Sequence, residues 1–410
     1  MSDIRFEGWL HRSGTGGVYQ DSAGNVGIAS TQPQTRLDIQ NGAFQIGPAG
    51  ICTAPAFIPS SGQLSHRNLI INGDMRVAQR GTSSTTSGMQ TVDRFLCQFG
   101  GTDEALTQSQ HTLTSSDTGP YEEGFIKSFH IQNGNQTSGA GGADFVEIYT
   151  VLEDQDISTS GWNYKSSSSY ITISFWVRSS VAQKFAGFFY TNQAGAGDSF
   201  MYSYQIDNGS GGNLSADTWT KITHSIPGNS SLSFNNDNTR GLAVGIFPFN
   251  GTQYTTSDHT ENTWAAWSST NKLKDMTSTW YTTNDATFEI TGVQLELGSV
   301  ATPFEHRTHA DELQLCKRYY NEFGPDGVTG APIVNFMQNS ADRIPIPQLH
   351  PIMRATPTVT GTDPLTEFSS GTTKSVSSYQ SVGRTGGGYI QLGATCSNPV
   401  YVLVKFDAEL

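Results

Sequence analysis

Charge is scarce in this chain. Lys, Arg, Asp and Glu make up 14% of its 410 residues, against about 25% in an ordinary soluble domain. The formal net charge is −13 and no basic run occurs. That excludes nucleic-acid binding by phosphate neutralisation and gives an anionic membrane surface nothing to hold. No apolar run reaches the ~18 residues of a membrane-spanning helix, so no membrane insertion is expected. The opening Met-Ser-Asp-Ile-Arg-Phe-Glu-Gly-Trp lacks the apolar centre of a signal peptide, and export by that route is not expected either. The four cysteines (Cys52, Cys97, Cys316 and Cys396) lie far apart, with no C-x-x-C pair. A zinc knuckle or thioredoxin-type centre is thereby excluded. Buried free thiols are expected instead, in keeping with assembly in a reducing cytoplasm. Nucleophile-elbow, zincin and P-loop motifs are absent too. The glycine-rich stretches 14–17 and 139–142 do not link a strand to a helix and read as turns.

Glycine, at 44 residues, and the Ser, Thr, Asn and Gln that replace charge suit short strands joined by tight turns. The clearest strand run is 170–178, and the most informative stretch is 289–307, whose strand spans 286–297. Ile290, Val293, Leu295 and Leu297 alternate with Thr291, Gln294 and Glu296 after an irregularity at Gly292, and Gly298 and Pro303 end the run. Further strands are expected over 69–71, 94–98, 124–131, 145–151, 170–178, 184–191, 200–205, 218–225 and 241–247. With no helical pattern between them, an antiparallel sandwich follows for residues 68–307.

Residues 1–48 contain short apolar clusters separated by turn signals, with a hairpin over 37–46 turning at Asn41-Gly42. This segment is too small and too rich in Gly and Pro to hold a core of its own. Phe6, Trp9, Val26, Ile28, Leu37, Ile39, Phe44 and Ile46 are the expected assembly contacts of an extended β arm; a disordered arm is the alternative. Residues 49–67 read as a linker. Residues 308–325 read as one connecting helix. Thr308-His309-Ala310-Asp311 caps it, Ala310, Leu313, Cys316, Lys317 and Tyr320 share a face, and Gly324-Pro325 stops it. Residues 326–410 return to strands, expected over 333–337, 357–360, 380–382, 389–392 and 400–406, and form a small sandwich with an apolar, central last strand. The fold class is therefore all-β: arm, central sandwich, one helix, small C-terminal sandwich.

Several phrases resemble a known family. Residues 292–307 (GVQLELGSVATPFEHR), paired with 68–81 (NLIINGDMRVAQRG) and Val92-Asp93-Arg94-Phe95, are similar to segments of tail fibre and virion appendage proteins of tailed phages, especially those of marine bacteria. Residues 24–47 resemble one copy of a phage-fibre repeat, with Ala29 where glycine is usual, and 353–360 resemble a phrase of the terminal β domain of such proteins. Residues 217–228 fit another phrase, and the 68–307 stretch resembles a jelly-roll carbohydrate-binding module. The resemblance implies a homotrimer on the virion, docked to other tail or capsid proteins by its N-terminus and binding host-surface glycan. It implies a structural calcium near the first and last strands, where Asn72, Asp74 and Glu296 stand and supply hard oxygen ligands. A self-cleaving helical tail, which some such fibres carry, is not expected here.

Sugar binding needs flat rings to stack on C–H faces and polar groups to meet hydroxyls. Trp162, Tyr254, Trp264, Trp267, Trp280 and Tyr281 stand among polar, loop-like sequence and are the glycan-binding candidates; the alternative is that they cap the core or an interface. Trp176 and Trp219 sit in strand patterns and are assigned to packing. No catalytic residue is assigned. Glu122-Glu123 and Glu153-Asp154-Gln155-Asp156 are the densest carboxylates, but sequence neighbours do not face each other across a substrate as a glycosidase requires, and they read as solvated loop charges. His306 and His309 are spaced for a shared metal, but Thr308 starts the helix between them, which favours a hinge. A ligand-free structural or decoration fibre and an exopolysaccharide depolymerase are the competing functions.

Overall fold

The computed structural model describes residues 8–10, 17–28, 37–39, 44–46, 52–53, 66–191, 199–323, 343–346, 348, 351–361, 365–367, 371–394, 400–401 and 403–410. The chain forms two compact units, Met1–Ser60 and Ser61–Leu410.

In the first unit, six strands lie in chain order in one sheet: β1 (Gly8–Leu10), β2 (Gly17–Gln20), β3 (Val26–Ile28), β4 (Leu37–Ile39), β5 (Phe44–Ile46) and β6 (Cys52–Thr53). The expected hairpin is present as the β4–β5 pair, Leu37 opposite Ile46; its Asn41-Gly42 turn lies outside the described residues. Asp21 sets the β2–β3 turn by accepting from the backbone N–H groups of Ala23 and Asn25, each at 2.9 Å. Of the expected assembly residues, Phe6 lies outside the described residues, and Trp9, Leu37, Ile39, Phe44 and Ile46 are described only in their backbone. Val26 is half-buried. Ile28 pairs across β2–β3 with Val18, and these apolar side chains are 41% and 42% exposed.

The second unit holds an antiparallel sandwich of twelve strands: β7 (Ser83–Ser84), β8 (Leu96–Gly100), β9 (Thr107–Thr112), β10 (Lys127–Gln132), β11 (Phe145–Glu153), β12 (Tyr170–Ser179), β13 (Phe185–Thr191), β14 (Phe200–Ile206), β15 (Thr220–Pro227), β16 (Arg240–Asn250), β17 (Trp264–Ala266) and β18 (Thr287–Leu297). One sheet runs β15-β12-β18-β10-β9-β7 and the other β17-β14-β13-β16-β11-β8, so the chain crosses repeatedly between them. Their inner faces share one core. Phe129, Ile173, Phe175 and Leu295 from the first sheet meet Ile148, Phe189, Tyr204 and Val244 from the second, and Phe185 meets Phe288 edge-on at 4.8 Å. Two one-turn helices, α1 (Asp154–Ser158) and α2 (Thr279–Thr282), interrupt the loops.

β18 has the phase its sequence predicts. Ile290, Val293 and Leu295 enter the core and Leu297 packs against it. The register shifts opposite Ser174 and Trp176, where Gly292 adopts φ +65° and an added Cβ would lie 2.6 Å from the Phe125 ring. This is a β-bulge only glycine fits without strain. The polar side of β18 is covered rather than solvated. Glu296 accepts from Thr302 (N at 2.8 Å, Oγ1 at 2.6 Å), and Gln294 Oε1 accepts from Glu305 N at 2.8 Å, so the chain after Pro303 folds back over the strand. Residues 69–71 are not a strand: Leu69 donates to Leu295 O and Gly73 O accepts from Val293, so irregular backbone lies beside β18 past the end of its pairing with β10.

The helix α3 (His309–Lys317) is capped as expected, Thr308 Oγ1 accepting from Asp311 N at 3.2 Å. It is shorter than the sequence suggested. Its buried residues are Glu312 and Cys316, followed by Tyr319, while Ala310 is exposed. Tyr320 already belongs to a strand, β19 (Tyr320–Phe323). The remaining strands are β20 (Arg343–Pro345), β21 (Thr358–Gly361), β22 (Leu365–Glu367), β23 (Thr373–Lys374), β24 (Val376–Gln380), β25 (Tyr389–Leu392), β26 (Val400–Tyr401) and β27 (Val404–Asp407). They form three three-stranded sheets around a core of Ile344, Ile346, Met353, Leu365, Ile390, Val404 and Phe406, with β27 central in its sheet. The strand expected over 333–337 lies outside the described residues. No helix among the described residues is long and apolar enough to cross a membrane.

Candidate functional site

The outer face of the second sheet carries a groove of 160 Å³. Strand alternation builds it: β11 sends Val146 and Ile148 inward and Glu147 and Tyr149 outward, and β13 sends Phe185 and Phe189 inward and Phe188 and Tyr190 outward. Gly245 on β16 lies between its register partners Tyr149 and Phe188. A Cβ there would strike Tyr149 at 2.5 Å and Phe188 at 2.7 Å, so its absence lets both rings lie close over the strand. Phe188 stacks on Phe247 at 4.2 Å, and Tyr149 meets Phe188 edge-on at 6.2 Å. At one side Trp267, 45% exposed, tilts against Tyr190 at 5.8 Å. The Trp267 backbone N–H donates to Ser199 O, which fixes the ring's position beside β14.

Charge at the groove is unequal. Lys272 Nζ pairs with Glu147 at 2.6 Å and lies 4.9 Å from the Phe247 ring centroid and 4.8 Å from that of Tyr254. Arg240 also lines the groove, its guanidinium carbon 5.9 Å from the Tyr149 centroid. Its Nε is enclosed and has no hydrogen-bond partner.

The six expected glycan residues divide. Trp267 lines the groove, and half-buried Tyr254 stands at its rim against Lys272 and Phe145. The other four are corrected to core, where no sugar face can reach them. Trp280 and Tyr281 are 0% exposed; Trp280 Nε1 donates to Thr287 O at 2.9 Å and Tyr281 stacks on Phe249 at 4.4 Å. Trp264 donates to Pro227 O at 2.8 Å and packs on Tyr202, and Trp162 donates to Ser169 O at 3.3 Å. The indole N–H groups thus find backbone acceptors inside the fold. Sequence reasoning missed Tyr149, Tyr190 and Arg240. The signal for the tyrosines was present in the alternation of 145–151 and 185–191, which places each on the face opposite the core.

The suggested calcium residues do not converge. Asn72 is spent on backbone: its amide donates to Val77 O and Asp93 O, and its Oδ1 accepts from Val77 N, at 2.8–2.9 Å. Asp74 pairs with Arg76. Glu296 is held by Thr302, and it lies three residues along β18 from Val293, which bonds Gly73, a separation of ~10 Å. Among the described residues no group of three or more His, Cys, Asp or Glu could hold a metal ion. His306 packs tilted against Phe125 and edge-on against Phe304, and bonds Glu123 O at 2.9 Å. The phrases 68–81 and 292–307 instead sew the sandwich shut. Asn68 donates to Val293 O and accepts from Leu295 N, its backbone N–H donates to Glu305 Oε2, and Arg307 bonds Asn68 O and Ile70 O.

The carboxylates read as solvated are also corrected in part. Glu153 is 0% exposed and held by Arg318 at 2.7 Å and by the Tyr319 hydroxyl at 2.7 Å; despite burial, these partners keep its carboxyl below the usual range. Asp154 is buried, and Glu123 pairs on the surface with Lys221. Trp176 and Trp219 are half-buried on the outer face of the first sheet, their indole N–H groups donating to Glu123 and Asp117. A larger cavity of 330 Å³ opens beside β15. It is polar, and its one ring, His224, is stacked on Tyr204 at 4.3 Å, so it offers no free stacking face. Among the described residues Cys97 and Cys316 are buried free thiols.

No family model matches the chain, and no curated protein does. Among solved structures it is similar to a protein of Bacteroides thetaiotaomicron VPI-5482 suggested to bind sugar, at 12% identity over 56% of this chain and 99% of that one, with a TM-score of 0.27. It is similar to a family 30 carbohydrate-binding module at 11% identity over 56% and 96%, TM-score 0.24. A third is the N-terminal CBM22-1–CBM22-2 tandem domain of Paenibacillus barcinonensis Xyn10C, at 8% identity over 87% and 92%, TM-score 0.26. At such scores no residue role and no ligand transfers to this chain.

Proposed function

We propose that this chain is a glycan-binding subunit of a phage virion appendage, a tail fibre or a related decoration fibre, that attaches to host-surface polysaccharide through the groove on its second sheet. The observation that carries the binding reading is the open aromatic face itself, where Trp267 and Tyr190 flank a groove whose polar edge, Glu147 and Lys272, can meet hydroxyls. The sequence phrases support the virion setting and a homotrimer. The exposed Val18–Ile28 pair adds support, because a sheet of such short strands gains from apolar surface on another copy. Several copies on one fibre would turn weak sugar contacts into firm attachment. The work is adhesive, and the locking of Glu153 by Arg318 and Tyr319 supports that reading over a depolymerase.

A ligand-free structural fibre is the second reading, favoured by the burial of Trp162, Trp264, Trp280 and Tyr281. A glycan array probed with the intact chain separates the two. Retention of host polysaccharide that is lost in Trp267→Ala supports attachment. A flat array leaves the structural reading, and binding indifferent to Trp267 overturns the groove as the binding site. Particle images labelled at residue 410 test the virion location.

A further inference from the structure

Resting on the reading of the groove as a glycan site, we propose that its ligand is an acidic polysaccharide, a uronate-containing chain whose carboxylate is received by Arg240. Of the two cations lining the groove, Lys272 is already neutralised by Glu147 at 2.6 Å. Arg240 has no carboxylate partner among the described residues, and its Nε is enclosed without an acceptor. The groove therefore carries one uncompensated positive charge, on a chain whose net charge is −13.

The enclosed Nε is out of reach of an arriving ligand, but the terminal nitrogens of Arg240 make no hydrogen bond or ion pair among the described residues and are the donors a carboxylate would meet. The planar fork of Arg matches a planar carboxylate in a two-bond geometry that a hydroxyl cannot reproduce. Arg240 also sits over the same ring, Tyr149, that lies on the groove floor against Phe188. A pyranose stacked on that aromatic floor would bring a carboxylate on its ring within reach of the guanidinium. Neutral sugar would stack but leave Arg240 unpaired.

The test uses the intact chain, titrated calorimetrically with hexagalacturonate, with its fully methyl-esterified form, and with a sulfated κ-carrageenan hexasaccharide. Hexagalacturonate is expected to bind more tightly than its neutral ester. Arg240→Gln is expected to weaken the acid by about tenfold or more, since charge-assisted bonds are at stake, and to weaken the ester far less. Arg240→Lys, which keeps charge but loses the fork, should fall between, and its unfolding midpoint shows that the fold is kept. Added salt should weaken the acid and spare the ester. Equal binding of acid and ester, or an acid affinity indifferent to Arg240→Gln, overturns the proposal while leaving the groove a glycan site if Trp267→Ala abolishes both. Tighter binding of the sulfated chain, or no binding of hexagalacturonate, overturns the uronate assignment. Failure of the parent reading has a different signature: no glycan of any charge is retained on the array.

Discussion

The guanidinium of Arg94 lies 3.5 Å from the centroid of the Tyr319 ring, and the same group pairs with Glu409. Arg94 is 1% exposed, so this contact joins the sandwich to the C-terminal sheets through a desolvated charge. Arg80 repeats the arrangement one step outward, over Tyr320 at 3.6 Å and paired with Asp407 at 3.1 Å.

Glu409→Gln is expected to destabilise the second unit strongly, by about 3–5 kcal/mol, because it strands the Arg94 charge inside the fold. The double variant Arg94→Met with Glu409→Gln should cost less than the sum of the singles. Urea unfolding of the four proteins checks this; strict additivity would mean the pair is not coupled.

Trp267→Ala and Trp280→Ala should fail in different ways. Trp280 is wholly enclosed, and its truncation is expected to cost about 3–5 kcal/mol. Trp267 is 45% exposed, and its loss should change stability by no more than ~0.5 kcal/mol while abolishing glycan retention. Thermal melts set beside the array separate the two effects.

Two groups give the sandwich opposed acid responses. Burial lowers the His224 imidazole to about 4, so below its unfolded value the unfolded chain takes up a proton that the folded chain refuses. Its contribution to stability is complete above pH ~6.5 and drains away as pH falls toward 4. Burial raises the Asp93 carboxyl to about 6, against hydrogen bonds from Gln79 and the field of Arg80. Its contribution is full below pH ~4 and is lost as pH rises through 6. Relative to the unaltered chain, His224→Asn should flatten the loss of stability on acidification from pH 6.5 to 4, and Asp93→Asn should steepen it. Unfolding midpoints across that range give the slopes; the reverse pattern would show the assigned protonation states to be wrong.

The exposed pair Val18 and Ile28 should matter for assembly and not for the sandwich. Light scattering of the intact chain is expected to return three copies. Val18→Asp combined with Ile28→Asp is expected to shift it toward one copy, with the melting of residues 61–410 unchanged. A single copy for the unaltered chain would remove the trimer.

Much of the sandwich was legible because most of its strands alternate. β12, β13, β14 and β18 fall within two residues of their expected spans, and the phase of β18 is right because Ile290, Val293 and Leu295 bracket a glycine bulge. β9, Thr-Gln-Ser-Gln-His-Thr, contains no apolar side chain, so no period could announce it. The helix over-ran because Tyr320 fits its pattern, yet Tyr320 opens β19 with its ring under Arg80, and Tyr319 lies in the turn before it against Arg94. The site was the least legible part. Trp264, Trp280 and Tyr281 stand in polar sequence like exposed loop residues, but a backbone carbonyl accepts from each indole, and burial follows from contacts far along the chain. Arg240 gives no sign in the sequence, because what distinguishes it is a missing partner.

The stitching of Asn68 to Val293, Leu295 and Glu305 places entry and exit of the sandwich side by side, with Arg67 donating to Pro303 O at 2.9 Å. A cassette whose two ends meet can be transplanted whole between host chains without redirecting what precedes or follows it. On the proposed function, swapping the segment between these seams would exchange the glycan preference of one chain for that of another at a single junction.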